Sequence, residues 1–267
     1  MTDRWWSQAG ISTAGVLRDP SQRSAVYAAL HDGDGELTAA IADMDIFDNV
    51  LSPGHVAQFA EHLKSAPAVV MDANPPVETM QAVGEICCEA GVPLWFEPTS
   101  IPKSLRLLDA PAALKATRWL SPNLGELVAM AEAAPASAGA SGAALTMARE
   151  VSAALESATG LPEEHTGTLE ATLPSVLLAL AGESPETAER RHVFVSLGAS
   201  GLLWVDAVWL PTGHPQGTLA ISAKHYPALP GTHTHAPTTY NSSRSLSDCL
   251  WVQYLSSSLS PGRAIHS

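Results

Sequence analysis

Polar side chains that could bind a ligand follow four apolar runs of this sequence, and each run has the composition of a buried strand. The clusters are Asp72/Asn74, Glu97/Thr99/Ser100, Asn123/Glu126 and Ser196/Gly198/Gly201. Ligands of a parallel α/β sheet bind beyond the carboxyl ends of its strands, so the four clusters are predicted to share one edge of a sheet. A cap or a turn explains any single cluster, but four on one edge favour a ligand site.

The string Ser121-Pro122-Asn123-Leu124-Gly125-Glu126-Leu127 has two interpretations. In the first, Asn123 is the N-cap of a helix and Glu126 is its N3 residue, so the two side chains form a capping box. In the second, the Glu126 carboxylate lies near a nucleotide phosphate and holds a water-ligated magnesium ion, with Asn123 orienting the same shell. The residues alone leave both interpretations open.

A glycine-rich turn, Ser196-Leu197-Gly198-Ala199-Ser200-Gly201, joins two apolar segments. In one interpretation, the glycines do no more than allow a tight turn. A hydroxyl and bare backbone N–H groups at the end of a strand would also suit the phosphates of a nucleotide. The turn is therefore a second candidate for nucleotide contact.

The elements that must position these residues alternate along the chain. Residues 25–30 and 36–41 flank two Asp-Gly pairs and predict a β-hairpin. Apolar runs predict strands, and stripes of apolar residues at helical spacing predict helices. The strands are expected at 68–71, 92–96, 118–121, 192–196 and 202–205, and the helices at 53–65, 77–90, 123–133, 143–157 and 169–182, with a polar loop at 159–167. This alternation predicts an α/β fold with a mostly parallel sheet covered by helices.

The composition limits the class of protein. Acidic residues outnumber basic residues 27 to 14, which gives a formal charge of −13 and argues against charge-driven binding of nucleic acid. Apolar runs are too short to span a membrane, and the N-terminus lacks the apolar core of a signal peptide. The three cysteines, Cys87, Cys88 and Cys249, have no metal-binding spacing and no favourable disulfide geometry. These features predict a reduced, cytoplasmic protein.

Residues 231–267 differ in character from the rest of the chain. They are rich in serine, threonine and histidine and have no sustained period of 2 or 3.6. The segment is therefore expected to be a poorly ordered tail that the fold does not need. The alternative is that its apolar residues form one helix face that covers an open side of the sheet; these residues are Leu250, Trp251, Val252, Tyr254 and Leu255.

Residues from about 12 to 230 resemble the middle and later parts of carbohydrate kinases of the PfkB/ribokinase family. Residues 32–37 are similar to the lid hairpin of that family, and residues 70–74 match its strand ending in Asp-x-Asn. Residues 121–127 match its Asn-x-x-Glu motif, and residues 195–201 resemble its Thr/Ser-x-Gly-x-x-Gly segment. Within the family, residues 95–100 followed by Lys103 look most like pseudouridine kinases, whose domain in eukaryotes is often fused behind a pseudouridine-5′-phosphate glycosidase.

This resemblance implies a three-layer, ribokinase-like (Rossmann-like) α/β fold with a small hairpin lid at about residues 25–41. It implies ATP-dependent phosphoryl transfer to a sugar or nucleoside hydroxyl, with ATP and Mg²⁺ as cofactors and small molecules rather than nucleic acid or membrane as partners. The resemblance further implies that Glu126 is a ligand of the Mg²⁺ ion. The residues implied to contact the cofactor are Asp72, Asn74, Asn123, Glu126, Ser196, Gly198 and Gly201.

The sequence departs from the family pattern at both ends. It begins near the lid, without the Gly-Gly pair and the sugar-binding Asp and Asn of the family. After Pro230 it reads Gly-Thr-His-Thr-His-Ala, where the family has Gly-Ala-Gly-Asp, whose aspartate acts as a base beside an anion hole. We therefore expect an incomplete kinase domain at residues 1–230, a divergent tail at 231–267, no assignable catalytic residue and loss of the parent activity. The alternatives are an inactive nucleotide- or partner-binding protein and a truncated product whose exposed sheet edge prevents stable folding.

Overall fold

The computed structural model describes residues 6, 8–33, 37–134, 142–181, 189–209 and 219–229 of the chain. Two antiparallel strands, β1 (Val26–His31) and β2 (Leu37–Asp43), form a two-stranded sheet of their own. The main sheet has six strands that lie side by side in chain order: β3 (Val69–Asp72), β4 (Leu94–Glu97), β5 (Thr117–Leu120), β6 (Glu189–Ser196), β7 (Leu202–Trp209) and β8 (Leu219–Tyr226).

Nine helices connect or flank these strands within the described ranges. They are α1 (Asp45–Val50), α2 (Pro53–Ala57), α3 (Ala60–Lys64), α4 (Val77–Ala90), α5 (Ile101–Ser104), α6 (Pro111–Ala116), α7 (Leu124–Ala133), α8 (Gly142–Ser157) and α9 (Glu163–Ala181). As expected of a helix C-terminus, α4 ends at Gly91, whose φ of +68° lies in the left-handed region.

The sheet is mixed and mostly parallel. Strands β3 to β6 pair in parallel, and helical crossovers join them, as parallel neighbours require. Strands β6 and β7 are joined only by residues 197–201, so they pair antiparallel, and β8 pairs antiparallel with β7. Strand β8 is therefore parallel to β3–β6 and ends at the same edge of the sheet.

One face of the sheet and the helices form a continuous apolar core. Alternate strand residues such as Leu94, Phe96 and Val193 are fully buried there. Helices α4, α6, α7, α8 and α9 contribute buried residues to the same core. This central mixed sheet with flanking helices confirms the predicted α/β class and agrees with a three-layer, ribokinase-like fold.

The opposite face of the sheet carries a different set of side chains. In the described ranges, the helices that share the apolar core pack on the first face. The residues that alternate with the core residues of β4 to β7 are half-buried and largely aromatic, among them Trp95, Phe194 and Trp204. The hairpin strands are also exposed, with Ile41 at 77%.

Several predicted elements differ from those of the structure. The helix expected over 53–65 is split into α2 and α3. The prediction of a loop over 159–167 is wrong from residue 163 onward, because α9 begins at Glu163. Glu163 and Glu164 favour a helix N-terminus because their negative charge interacts well with the helix dipole. The segment is polar throughout, so this helix start was interpreted as part of a loop. Strand β8 and the short helices α1, α5 and α6 were not predicted. The hairpin turn at 34–36 and the tail at 231–267 lie outside the described residues.

Candidate functional site

The four polar clusters lie at one edge of the main sheet, as predicted. Asp72 and Glu97 are register partners at the ends of β3 and β4. Asn123, just after β5, forms a β-bridge with Ser196 at the end of β6. Neighbouring strands are about 4.8 Å apart, so the edge from β3 to β6 spans roughly 14 Å. The site described below is this carboxyl edge.

Asp72 and Asn74 form a hydrogen-bonded unit at the end of β3. The backbone N–H of Asn74 donates to Asp72 Oδ1 at 3.0 Å, and its side-chain amide donates to Asp72 Oδ2 at 2.5 Å. The Lys103 ammonium donates to Asn74 Oδ1 at 2.5 Å. Burial lowers the pKa of Lys103, Arg106 lowers it further, and Asp72 opposes both. Asp72 and Asn74 are thus fixed beside a partly desolvated cation, which the sequence had not singled out as a site residue.

Arg106 holds the loop that follows β3. Its Nη1 donates to the carbonyl oxygens of Asn74 at 2.9 Å and Pro75 at 3.1 Å. Its Nη2 lies 3.6 Å from Asp48 Oδ1 of α1. Sequence reasoning missed this residue, because only the fold brings Arg106 within reach of carbonyl groups about 30 positions earlier in the chain.

Thr99 adopts a backbone conformation that is rare for its residue type. Its φ is +69°, which is unfavourable for a β-branched residue. The Thr99 hydroxyl accepts from Ala73 N at 3.2 Å and donates to Glu97 O at 3.3 Å. These bonds tie the ends of β3 and β4 together. Strain of this kind is found most often at functional sites.

Asn123 and Glu126 form the predicted capping box at the start of α7. Asn123 N donates to Glu126 Oε2 at 2.8 Å, and Glu126 N donates to Asn123 Oδ1 at 2.9 Å. The capping interpretation is therefore confirmed. Glu126 is only 1% exposed, and burial raises the pKa of its carboxyl to about 7, with Glu97 adding to the rise and the bond from Asn123 opposing it. Two buried carboxyl groups are therefore close enough to influence each other electrostatically.

Glu97 is connected to the open face of the sheet through Ser121. The Ser121 hydroxyl donates to Glu97 Oε2 at 2.6 Å, and it accepts from the Trp95 indole N–H at 3.0 Å. Both Glu97 and Ser121 are buried. Ser121 begins the string that attracted attention in the sequence, but its contacts across β4 and β5 could not be read from that string.

The glycine turn is compact and needs both of its glycines. Gly198 and Gly201 have φ values of +57° and +97°. A Cβ atom at Gly201 would lie 2.1 Å from the carbonyl oxygen of Tyr226, so a larger residue would push β8 away. Within the turn, the Ser200 hydroxyl lies 3.1 Å from His165 Nε2, and the Ser200 carbonyl lies 2.7 Å from His225 Nε2. These histidines, which sequence reasoning did not connect to the site, fix the turn against α9 and β8.

The donor set at this edge suits a magnesium ion that keeps most of its water. In the part of the chain that the structure describes, no three His, Cys, Asp or Glu side chains lie close enough to form a metal site of their own. Mg²⁺ is commonly held by one or two carboxylates together with the phosphates of a substrate. Burial raises the pKa of Glu126 most and the neighbouring Glu97 adds to the rise, and a bound cation would oppose both effects.

No helix in the described ranges has the length and apolar character needed to cross a membrane.

The sequence is similar to curated pseudouridine kinases. It is 33% identical over 123 residues to pseudouridine kinase of Arabidopsis thaliana, covering 46% of this chain and 32% of that protein. It is 29% identical over 117 residues to pseudouridine kinase of Escherichia coli (strain K12), covering 44% and 36% respectively. The matched region thus spans about a third of the length of these relatives.

Solved structures support the fold. Ribokinase from Cryptococcus neoformans var. grubii serotype A in complex with ADP matches with a TM-score of 0.51 at 15% identity, covering 85% of this chain and 58% of that one. The crystal structure of Sa239 matches with a TM-score of 0.52 at 12% identity, covering 85% and 56%. At these identities the likeness concerns the fold alone.

The family model of the pfkB family carbohydrate kinases matches residues 1–159, which is more than half of the 267 residues. The match includes the hairpin, the Asp72–Asn74 unit and the capping box. This chain therefore belongs to the pfkB family of carbohydrate kinases.

Proposed function

We propose that the carboxyl edge of the sheet binds ATP and a sugar or nucleoside, and that the parent activity is phosphoryl transfer from ATP to a hydroxyl of pseudouridine or a related nucleoside. The observation that carries this proposal is the bridge between Asn123 and Ser196. It puts the buried Glu126 carboxyl next to a turn with two left-handed glycines. Family membership and the similarity to pseudouridine kinases support the choice of substrate class.

Each part of the edge has a role in this proposal. The hydroxyl of Ser196 and the backbone N–H of Gly198 bind phosphate oxygens. Gly201, whose N–H donates to the carbonyl oxygen of Gly198, gives the turn its shape. Glu126 and Asn123 orient the water shell of a magnesium ion, which when bound neutralises phosphate charge. Asp72 and Asn74 offer carboxylate and amide groups to the polar part of the ligands.

We further propose that the chain binds ligands without turnover. The sequence contains no Gly-Ala-Gly-Asp string, which in the family supplies the base and the anion hole, and we assign no catalytic residue. Phosphoryl transfer depends on positioning and charge stabilisation, so loss of those groups removes most of the rate enhancement. In this proposal residues 1–230 form the kinase-type domain, and the protein acts in the cytoplasm, where its thiols stay reduced.

The missing signature favours one alternative, a protein that uses the nucleotide site for binding or for contact with a partner. Binding of ATP without phosphorylation is common to this alternative and to the proposal, but only the proposal requires affinity for the nucleoside. A chain that shows neither binding nor cooperative unfolding is an unstable truncated product.

Calorimetry of ATP binding with and without Mg²⁺ tests the proposed site. Glu126→Gln should weaken magnesium-dependent binding more than Asn74→Ala does, because only Glu126 contributes formal charge beside the metal. Glu132→Gln, an exposed position on the same helix, is the matched control and should leave binding unchanged. Equal effects of the two site variants, or an effect of Glu126→Gln on melting temperature alone, would reduce Glu126 to a helix cap.

A phosphorylation assay with pseudouridine and ribose tests the proposal that the chain binds its ligands without turnover. The purified chain with Mg-ATP should show no product above background. Product that persists after contaminating kinases are removed contradicts the proposed loss of activity, and it leaves the assignment of the nucleotide site intact.

A further inference from the structure

Five aromatic rings lie side by side on the face of the sheet opposite the apolar core. We call them the aromatic array, and its members are Trp95, Trp119, His192, Phe194 and Trp204. Each residue alternates along its strand with a core residue, and each is half-buried rather than buried. The array covers four consecutive strands, β4 to β7.

The rings stack against one another in a continuous row across the strands. Trp95 stacks on Phe194 with a centroid distance of 5.2 Å and an interplanar angle of 14°, and on Trp119 at 5.8 Å and 24°. Phe194 in turn stacks with Trp204 at 6.2 Å and 9°. Stacked aromatic pairs of this kind are held in fixed geometry by packing. The array is therefore a preformed surface rather than a set of independent side chains.

Polar contacts fix the ring at the β7 end of the array. The Trp204 indole N–H donates to His192 Nδ1 at 3.3 Å, and burial lowers the pKa of His192. Asp206 opposes this shift from 3.4 Å, and Arg190 lies 3.5 Å from the same carboxylate oxygen. That oxygen, Asp206 Oδ1, is shielded from solvent and accepts no hydrogen bond from the described residues.

A pocket of about 290 Å³ opens beside this carboxylate. Its lining includes Trp204, Asp206, Ser222 and Lys224. A contiguous apolar surface with a polar-rimmed pocket is a feature of interaction sites on soluble proteins. There is therefore room beside the array for an apolar side chain of a covering segment.

The charge of the chain limits which molecule or segment could cover the aromatic array. Nucleic acid and a second copy both bring negative charge to a chain with a formal charge of −13, so both are repelled. Residues 231–267 contain two arginines and one aspartate, and so they add no net negative charge. On electrostatic grounds this segment is the better occupant.

The position of β8 puts this segment within reach of the array. Strand β8 lies next to β7, which carries Trp204, and the described chain leaves the sheet after Leu229 at the carboxyl edge. Within the described residues the helices occupy the core face and leave the aromatic face uncovered beside this exit. Twenty residues separate Leu229 from Leu250, a length that can cross the sheet in any conformation.

The apolar cluster of this segment matches the array in size. As a helix, residues 250, 251, 254 and 255 share one face. A helix of ten residues is about 15 Å long, and the array from β4 to β7 spans roughly 14 Å. Trp251 and Tyr254 bring N–H and O–H donors to that face.

We propose that residues 231–267 cover the aromatic array, with the apolar cluster around Trp251 packed on the rings. The sequence by itself favoured a dispensable tail, and the array is the observation that leads us to propose the alternative. The segment then acts as a working part of the fold.

Hydrogen exchange on the full chain is the direct test. Amide groups at 250–255 should exchange at least about tenfold more slowly than those at 238–246 of the same segment, which has no apolar cluster. Uniformly fast exchange over 231–267 overturns the proposal. This measurement needs no variant, so it is unaffected by any folding defect.

A double-mutant cycle distinguishes the occupants. Trp204→Ala and Trp251→Ala should each lower the melting temperature by several degrees, and the double variant should lose clearly less than the sum. Tyr240→Ala combined with Trp204→Ala is the control pair and should be additive. Additivity of the Trp pair overturns the proposal. So does a dimer in light scattering that Trp204→Ala dissociates, because the occupant is then a second copy.

Discussion

The two faces of the main sheet are built from different residues and have different surroundings. The face toward the helices is mostly aliphatic, and residues such as Leu94 and Leu120 are fully buried there. The opposite face carries the aromatic array, whose members keep part of their surface exposed; His192, for example, has an 18% exposed side chain. The first face derives its stability from burial against the helices. The second has rings that contact mainly one another, so its contribution depends on what lies over it.

The carboxyl edge lies where these two faces meet. Glu97 belongs to the edge, and its partner Ser121 is bonded to Trp95 of the array. A change on the aromatic face can therefore reach the candidate nucleotide site through two hydrogen bonds. The contrast between the faces thus bears on function as well as on stability.

The sharpest test of the contrast compares two phenylalanines on neighbouring parts of the sheet. Phe96 is fully buried on the helix face, whereas Phe194 is half-buried in the array. Phe96→Ala should reduce the free energy of unfolding by about 3–5 kcal/mol, because it leaves a cavity in a packed core. If residues 231–267 cover the array as proposed, Phe194→Ala should cost a similar amount in the full chain and about half as much once residues 231–267 are deleted, measured by urea denaturation. A loss only half as large in the full chain would show that the array is open.

A second prediction concerns the close packing of helices on the core face. A Cβ atom at Gly84 of α4 would lie 2.1 Å from the backbone nitrogen of Ala113 in α6. Gly84→Ala should therefore separate the two helices and destabilise the protein by about 3 kcal/mol, the upper end of the usual cost of overpacking.

Gly167 is the matched control for this change. It lies in α9, and a Cβ atom there would meet nothing within 4 Å. Gly167→Ala should raise the free energy of unfolding by about 0.5–1 kcal/mol, because alanine favours the helix. If thermal unfolding shows the same loss for both glycine variants, the tight approach of α4 and α6 does not stabilise the core.

The smallest expected effect is a pH dependence of the free energy of unfolding, caused by Glu126 at the carboxyl edge. The folded-state pKa of Glu126 is raised from 4.5 to about 7, so the folded protein holds a proton that the unfolded chain has lost between these values. The stability contributed by this proton is present below about pH 4.5 and is lost as the pH rises through 7. We expect a loss of roughly 1–2 kcal/mol by pH 8, less than the full shift implies because the protein relaxes around the charge.

Urea denaturation at pH 5 and pH 8 checks this prediction. Glu126→Gln should match the wild-type protein near pH 5 and exceed it at pH 8, while Glu132→Gln should follow the wild-type curve at both. Saturating Mg-ATP should reduce the difference if a cation binds beside the carboxylate. If the free energy of unfolding changes equally with pH in all three proteins, Glu126 is charged at neutral pH without a loss of stability.

Much of the fold could be predicted, because local patterns carry it. The apolar runs of β3 to β6 and the 14-residue helix α4 with its terminal Gly91 were expected close to their observed bounds. The capping box at Asn123 and Glu126 is a local motif of four residues, and the structure contains both of its hydrogen bonds. The edge strand β8 escaped prediction because its residues alternate only weakly between apolar and polar.

The sequence by itself determined the alternation of strands and helices, the motifs of the pfkB family and the polar residues that end each strand, since each depends on neighbours in the chain. Only the tertiary structure decided which of these residues meet. It joined Lys103 to Asn74 and Ser121 to Glu97, and it buried Glu126 near Glu97, which raises the pKa of the Glu126 carboxyl. It also aligned five rings from four strands on one face, because side-chain contact across a sheet follows from strand order and register, which no single segment of sequence contains.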